Sequence, residues 1–135
     1  DDDSQPLDHG GWLDRLVERA GVPVHAIASG HHHNLQLFET PGSGPNLHAI
    51  VGSGARARGR PPNAVAHPAR RFGTSKLGFA RIDVLDSGEG ERLYVSLFST
   101  PKYPILATGD AELVARWSVD HEGQTRNELP SAKTR

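Results

Sequence analysis

The sequence predicts an α/β fold, a layered sandwich of one or two short helices and about six strands. Three patterns predict it. A helical stripe runs straight into a compact apolar segment near the start, period-two alternation recurs through the remainder, and Gly and Pro clusters cut the chain into short pieces. At 135 residues, 36% of them hydrophobic, the chain is sized for one core.

Residues 1–10 are polar and acidic and read as a surface loop. Trp12, Leu13, Leu16, Val17 and Ala20 then fall on one helical stripe. Gly21 suits the left-handed position after a last turn, so a short amphipathic helix is expected over 12–20. The run Val24-His25-Ala26-Ile27-Ala28-Ser29 is short and mostly apolar, as a strand buried on both faces is. Residues 34–39 alternate polar and apolar, the period of a strand with one wet face. Further strands are expected at 47–51, 77–85, 92–99 and 112–119, with 86–90 as a hairpin-like turn. Pro61, Pro62 and Pro68 argue against a long helix between them, so the stretch up to Thr74 is expected to be an ordered loop. Residues 121–135 are polar, contain Pro130 and carry no apolar pattern, so a disordered tail is expected there.

Composition excludes several kinds of chemistry. With no cysteine there are no disulfides, thiol nucleophiles or cysteine zinc sites, and any metal must be taken by His, Asp, Glu or Asn. No apolar run approaches the roughly 20 residues of a spanning helix, and the acidic opening is unlike a signal peptide, so no membrane partner is expected. No methionine occurs, so residue 1 is not an initiator, and a processed product or fragment is expected. The net charge of -1 hides an asymmetry: no Asp or Glu lies between Glu39 and Asp83, while Arg56, Arg58, Arg60, Arg70, Arg71, Lys76 and Arg81 do. Such a positive island can hold anions. A nucleic-acid partner is not expected, because binding single strands wants stacking aromatics and Phe72 is the only one near the island.

The segment that carries chemistry is Gly30-His31-His32-His33-Asn34, set just after the first buried strand. In extended backbone, side chains two apart point the same way with Cα atoms roughly 6.5 Å apart. The ions of a dinuclear hydrolase sit about 3.5–4 Å apart, so His31 and His33 can each reach a different ion. Gly30 is expected to let the chain turn sharply at the strand end. His25 and His48 are read as satisfied sheet residues rather than ligands.

Gly-His-x-His followed by Asn-Leu-Gln resembles the last metal-binding motif of calcineurin-like metallophosphoesterases, the purple acid phosphatase branch in particular. The flanking elements at 13–20, 24–29, 35–38 and 49–55 stand in that family's order, ending in its Ser-Gly-Ala-Gly type of turn. The resemblance implies two stacked sheets flanked by helices, with residues 1–120 the C-terminal portion of such a domain and its N-terminal half missing. It implies that His31 binds one metal and His33 the other of two divalent or trivalent ions (Fe, Zn or Mn), incompletely liganded by this chain. It further implies hydrolysis of a phosphate-ester substrate. His32 and Asn34 are expected to support the ligands rather than bind metal. Arg56 and Arg58, just past Gly54, are expected to meet the substrate phosphate through paired guanidinium donors.

The family's upstream Asp-x-His, Gly-Asp-x-x-Asp and Gly-Asn-His motifs do not occur here. Gly109-Asp110 lacks the second Asp and lies on the wrong side of the histidines. No catalytic residue is therefore assigned, and the chain alone is expected to be inactive without the missing N-terminal part. The resemblance leans towards a periplasmic or secreted location. The competing expectation is a non-catalytic β-rich domain that holds an anionic partner with its basic loop.

Overall fold

The first element ends where the sequence says it must. Gly21 takes a φ of 64° and its N–H donates to the Glu18 carbonyl at 3.3 Å, closing helix α1 (His9–Ala20). The computed structural model describes residues 9–40, 45–54, 67–86, 88, 90–101 and 110–129. Among them the protein is mainly β, with one short helix and two sheets. Leu16, on the expected apolar stripe of α1, is exposed.

The strands are β1 (Ala26–Ser29), β2 (Leu35–Glu39), β3 (Leu47–Val51), β4 (Arg70–Thr74), β5 (Gly78–Asp86), β6 (Glu91–Ser99), β7 (Glu112–Asp120) and β8 (Thr125–Asn127). Two of them correct the sequence reading, which expected about six. β4 was expected to be loop, because Arg70-Arg71-Phe72-Gly73-Thr74 carries two arginines and one apolar side chain. It forms as an edge strand against β2. The tail expected after His121 also continues, into β8, which pairs antiparallel with β7 through Trp117–Asn127 and Val119–Thr125. Edge strands need satisfy only one ladder and so tolerate such polar sequences.

The first sheet has the order β1-β3-β2-β4, with β1 parallel to β3 and β2 antiparallel to both its neighbours. The second is an antiparallel meander, β5-β6-β7-β8. Period-two alternation sends Leu35, Leu37, Leu47 and Ala49 from the first sheet and Val95, Leu97, Ala115 and Val119 from the second into one shared core. Gly78 makes the close approach between layers: a Cβ there would lie 2.0 Å from the Phe98 carbonyl oxygen and 2.7 Å from Leu35 Cδ1.

A polar clasp joins the sheets at one end. Glu39 on β2 accepts a short hydrogen bond from the Thr125 hydroxyl on β8 and pairs with Arg71 Nε at 2.6 Å. The Thr125 bond first, and then Arg71, hold the Glu39 carboxyl below its usual pKa against the opposing pull of burial. A carboxylate whose folded pKa is depressed contributes stability above its unfolded pKa and loses it as pH falls through the folded value. Thermal melts from pH 7 towards pH 3 should therefore show stability dropping through the carboxylate range. Glu39→Gln should flatten part of that slope. An unchanged slope would mean that the clasp holds nothing.

Candidate metal centre

The parallel pairing of β1 with β3 decides where chemistry can gather. Both strands end on one edge of their sheet, with Ser29 opposite Ile50, and antiparallel β2 begins there, with Leu35 opposite Val51. The crevice outside the carboxyl ends of parallel strands is the usual ligand site of such sheets. At this edge the structure places His31, His32 and His33 after β1, and Gly52, Ser53 and Gly54 after β3.

The histidine segment is not extended, which corrects the geometry expected from sequence. The His32 N–H donates to the Gly30 carbonyl at 3.0 Å, and the Asn34 N–H to the His32 carbonyl at 2.7 Å. Each bond spans two residues, so His31 and His33 are the central residues of two consecutive γ-turns. His31 has a φ of 73°, the one positive value among described non-glycine residues. Gly30, expected to let the chain turn sharply, has no positive φ and open space where a Cβ would go, so the turn does not require glycine there. Only the corners of tight turns, not strand alternation, set the direction of these side chains.

All three imidazoles are exposed. The rings of His31 and His32 lie 5.6 Å apart at 75°, an edge-on contact between neighbours that an extended chain would have pointed apart. His32 is therefore beside His31 rather than on the opposite face. Asn34 is buried and works as a strut. Its N–H closes the second γ-turn, its carbonyl accepts from Gly52 N–H at 3.2 Å, and its side-chain oxygen accepts from Gln36 Nε2 at 3.0 Å. Gln36 in turn accepts from Arg70 Nη1 at 3.1 Å, so a buried polar chain runs from β4 to the foot of the histidine turn.

Gly52 locks the turn from the other side. A Cβ at this position would stand 1.9 Å from the His32 carbonyl oxygen and 2.6 Å from its carbon, so only glycine lets β3 end against that backbone. In the sequence Gly52 is simply part of one of the Gly clusters that cut the chain into short pieces. Nothing in its spacing disclosed the close approach. Ser53 beside it is fully buried, its carbonyl accepting from Gly78 N–H at 3.3 Å.

Three other histidines are occupied elsewhere. His48 on β3 hydrogen-bonds Ser29 Oγ through Nε2 at 2.9 Å, and burial pushes its pKa below the usual imidazole value, keeping it neutral near pH 7. His25 Nδ1 meets Asn46 Oδ1 at 3.3 Å. His67 packs edge-on against Phe38, with ring centres 5.2 Å apart, towards the end of β2 remote from the triplet. Arg56 and Arg58 lie outside the described residues.

Among the described residues no three His, Asp or Glu side chains come together closely enough to hold one ion. The donor set at the edge thus consists of exposed imidazoles on a braced turn, a ligand type that suits Fe, Zn or Mn, without a closed coordination shell among the described residues. No family model, curated protein or solved structure matches this chain. Among the described residues, moreover, no helix is long and apolar enough to cross a membrane.

Proposed function

We propose that this chain supplies His31 and His33 to a dinuclear metal site of the metallophosphoesterase type, which hydrolyses phosphate esters once ligands from outside this sequence complete it. The observation that carries the proposal is the strained γ-turn at His31. A non-glycine residue at positive φ disfavours the folded state by about 1–3 kcal/mol, and such strain persists chiefly where a side chain must be aimed. The brace from Gly52, Asn34 and Gln36 supports it: ligands held on a rigid turn need little reorganisation on binding. In such a centre the ions supply Lewis acidity and an activated water for attack on phosphorus. This chain's part is to hold two neutral imidazoles in place. The layered fold with its site at the carboxyl end of β1 and β3 agrees with a partial domain of that type.

The competing reading is a non-catalytic β-rich domain in which the histidines are an incidental surface cluster, and the exposed, edge-on His31–His32 ring contact is the observation that favours it.

Zinc titration followed through imidazole NMR signals separates these. Shifts at His31 and His33, abolished by His31→Ala and by His33→Ala, are expected, with His25 and His48 silent. Loss on His32→Ala while His33→Ala binds normally would mark an incidental surface cluster and overturn the proposal. His31→Gly should lose the zinc response yet raise stability by about 1 kcal/mol in urea denaturation, because glycine accepts the positive φ freely. Zinc- or manganese-dependent hydrolysis of a generic aryl phosphate by this chain alone would contradict the incomplete-site reading.

A further inference from the structure

The outer edge of β5 is the feature that the metal site leaves unused. β5 stands at the end of its sheet and, among the described residues, pairs only with β6. Its nine residues contain no Lys, no Pro and no bulge, three of the usual guards of an exposed edge, and its charged residues are Arg81, Asp83 and Asp86. Four of its apolar side chains are exposed: Phe79 43%, Ile82 47%, Val84 61% and Leu85 48%.

The direction of its free backbone groups follows from the ladder. The Thr100 N–H bonds the Leu77 carbonyl, and the Gly78 N–H turns the other way, to Ser53. Antiparallel alternation then points the N–H and C=O of Ala80, Ile82 and Val84 outward, away from β6. The same residues share the face of Val95 and Leu97, the core face of the sheet. Ile82 and Val84 therefore look inward yet remain uncovered.

The sequence of this edge is complementary to itself. If two copies of Phe79-Ala80-Arg81-Ile82-Asp83-Val84-Leu85 run antiparallel with Ile82 opposite Ile82, then Arg81 meets Asp83, Ala80 meets Val84 and Phe79 meets Leu85, each twice. A slip of two residues one way sets Arg81 against Arg81, and the other way sets Asp83 against Asp83. Charge thus disfavours both neighbouring registers. Arg81 and Asp83 already pair within the strand at 2.8 Å, with Arg81 57% exposed, so both can also reach across to a facing strand.

We infer that β5 pairs with β5 of a second copy of this chain in that register, joining two four-stranded sheets into one continuous sheet about a two-fold axis. The pairing closes on itself, because each copy uses the same edge, and so it gives a dimer and not a fibre. Outward ladder bonds at Ala80, Ile82 and Val84 hold the strands. The stripe Ala80, Ile82, Val84 extends the apolar core face across the junction. The inference does not depend on the metal site.

Sedimentation equilibrium of the intact chain tests it, at roughly 100 µM because a single-strand junction falls below the usual 1,200 Å² of a stable interface. The wild type should approach twice the 14.6 kDa of one chain. Arg81→Asp sets Asp against Asp at both symmetric positions, and Asp83→Arg sets Arg against Arg. Each should weaken the dimer by about tenfold or more. An equimolar mixture of the two variants restores every Arg–Asp contact across the junction while neither chain regains its own internal pair, so the mixture should dimerise again. A monomeric wild type, single variants that dimerise as the wild type does, or a mixture that stays monomeric would each overturn the inference.

Discussion

Gly52→Ala is expected to disable the histidine turn and destabilise the protein together, by about 1–3 kcal/mol or more, the range for overfilling a packed site. The added methyl would meet the His32 carbonyl oxygen at 1.9 Å and its carbon at 2.6 Å. These are backbone atoms, and they cannot swing aside as the end of a side chain can. Either β3 withdraws, breaking the 3.2 Å bond from Gly52 N–H to the Asn34 carbonyl, or the turn around His31 opens. Both outcomes release the φ of 73° that aims the imidazole. Urea denaturation should show the loss of stability, and the zinc-induced shifts at His31 and His33 should weaken in whatever fraction stays folded. Gly30→Ala and Gly54→Ala are the controls. Both positions have open space and ordinary φ, so each should change stability by less than about 0.5 kcal/mol. Equal effects at the three glycines would remove Gly52 from its role.

These glycines also mark the limit of what the sequence disclosed. Strands whose apolar residues alternate were legible: Leu35 and Leu37, or Val95 and Leu97, can only face one way if the chain is extended, and they meet in the core. β4 and β8 were not legible, because Arg70-Arg71-Phe72-Gly73-Thr74 and Thr125-Arg126-Asn127 carry no apolar alternation and are drawn into strands only by the free ladder beside them. The location of the histidines after β1 followed from the strand before them. Their geometry did not, since it depends on Gly52 and Asn34, brought close by β3 pairing between β1 and β2. A motif fixes which residues stand together in the chain, whereas the turn they form is set by contacts distant in sequence. The Glu39–Thr125 clasp, spanning 86 residues, was invisible for the same reason.

Leu37→Ala should have the largest effect on the fold, a loss of about 2–5 kcal/mol, as found for deleting a buried leucine. Leu37 is fully buried on β2, flanked across the sheet by Ala49 on β3 and Phe72 on β4, and it packs in the core that both sheets share. Small neighbours such as Ala49 and Ala115 cannot swing in to fill the space left behind, so most of the cavity should persist. Against a total stability of about 5–15 kcal/mol for a domain, this single change consumes a large share. Because the two sheets share this one core, far-UV and tryptophan signals should be lost in one transition at lower urea. Ile82→Ala, on an exposed side chain of β5, should cost less than about 1 kcal/mol in the isolated chain. Two separate transitions for Leu37→Ala would show that the layers fold independently, and the turn carrying His31 would then rest on the first sheet alone.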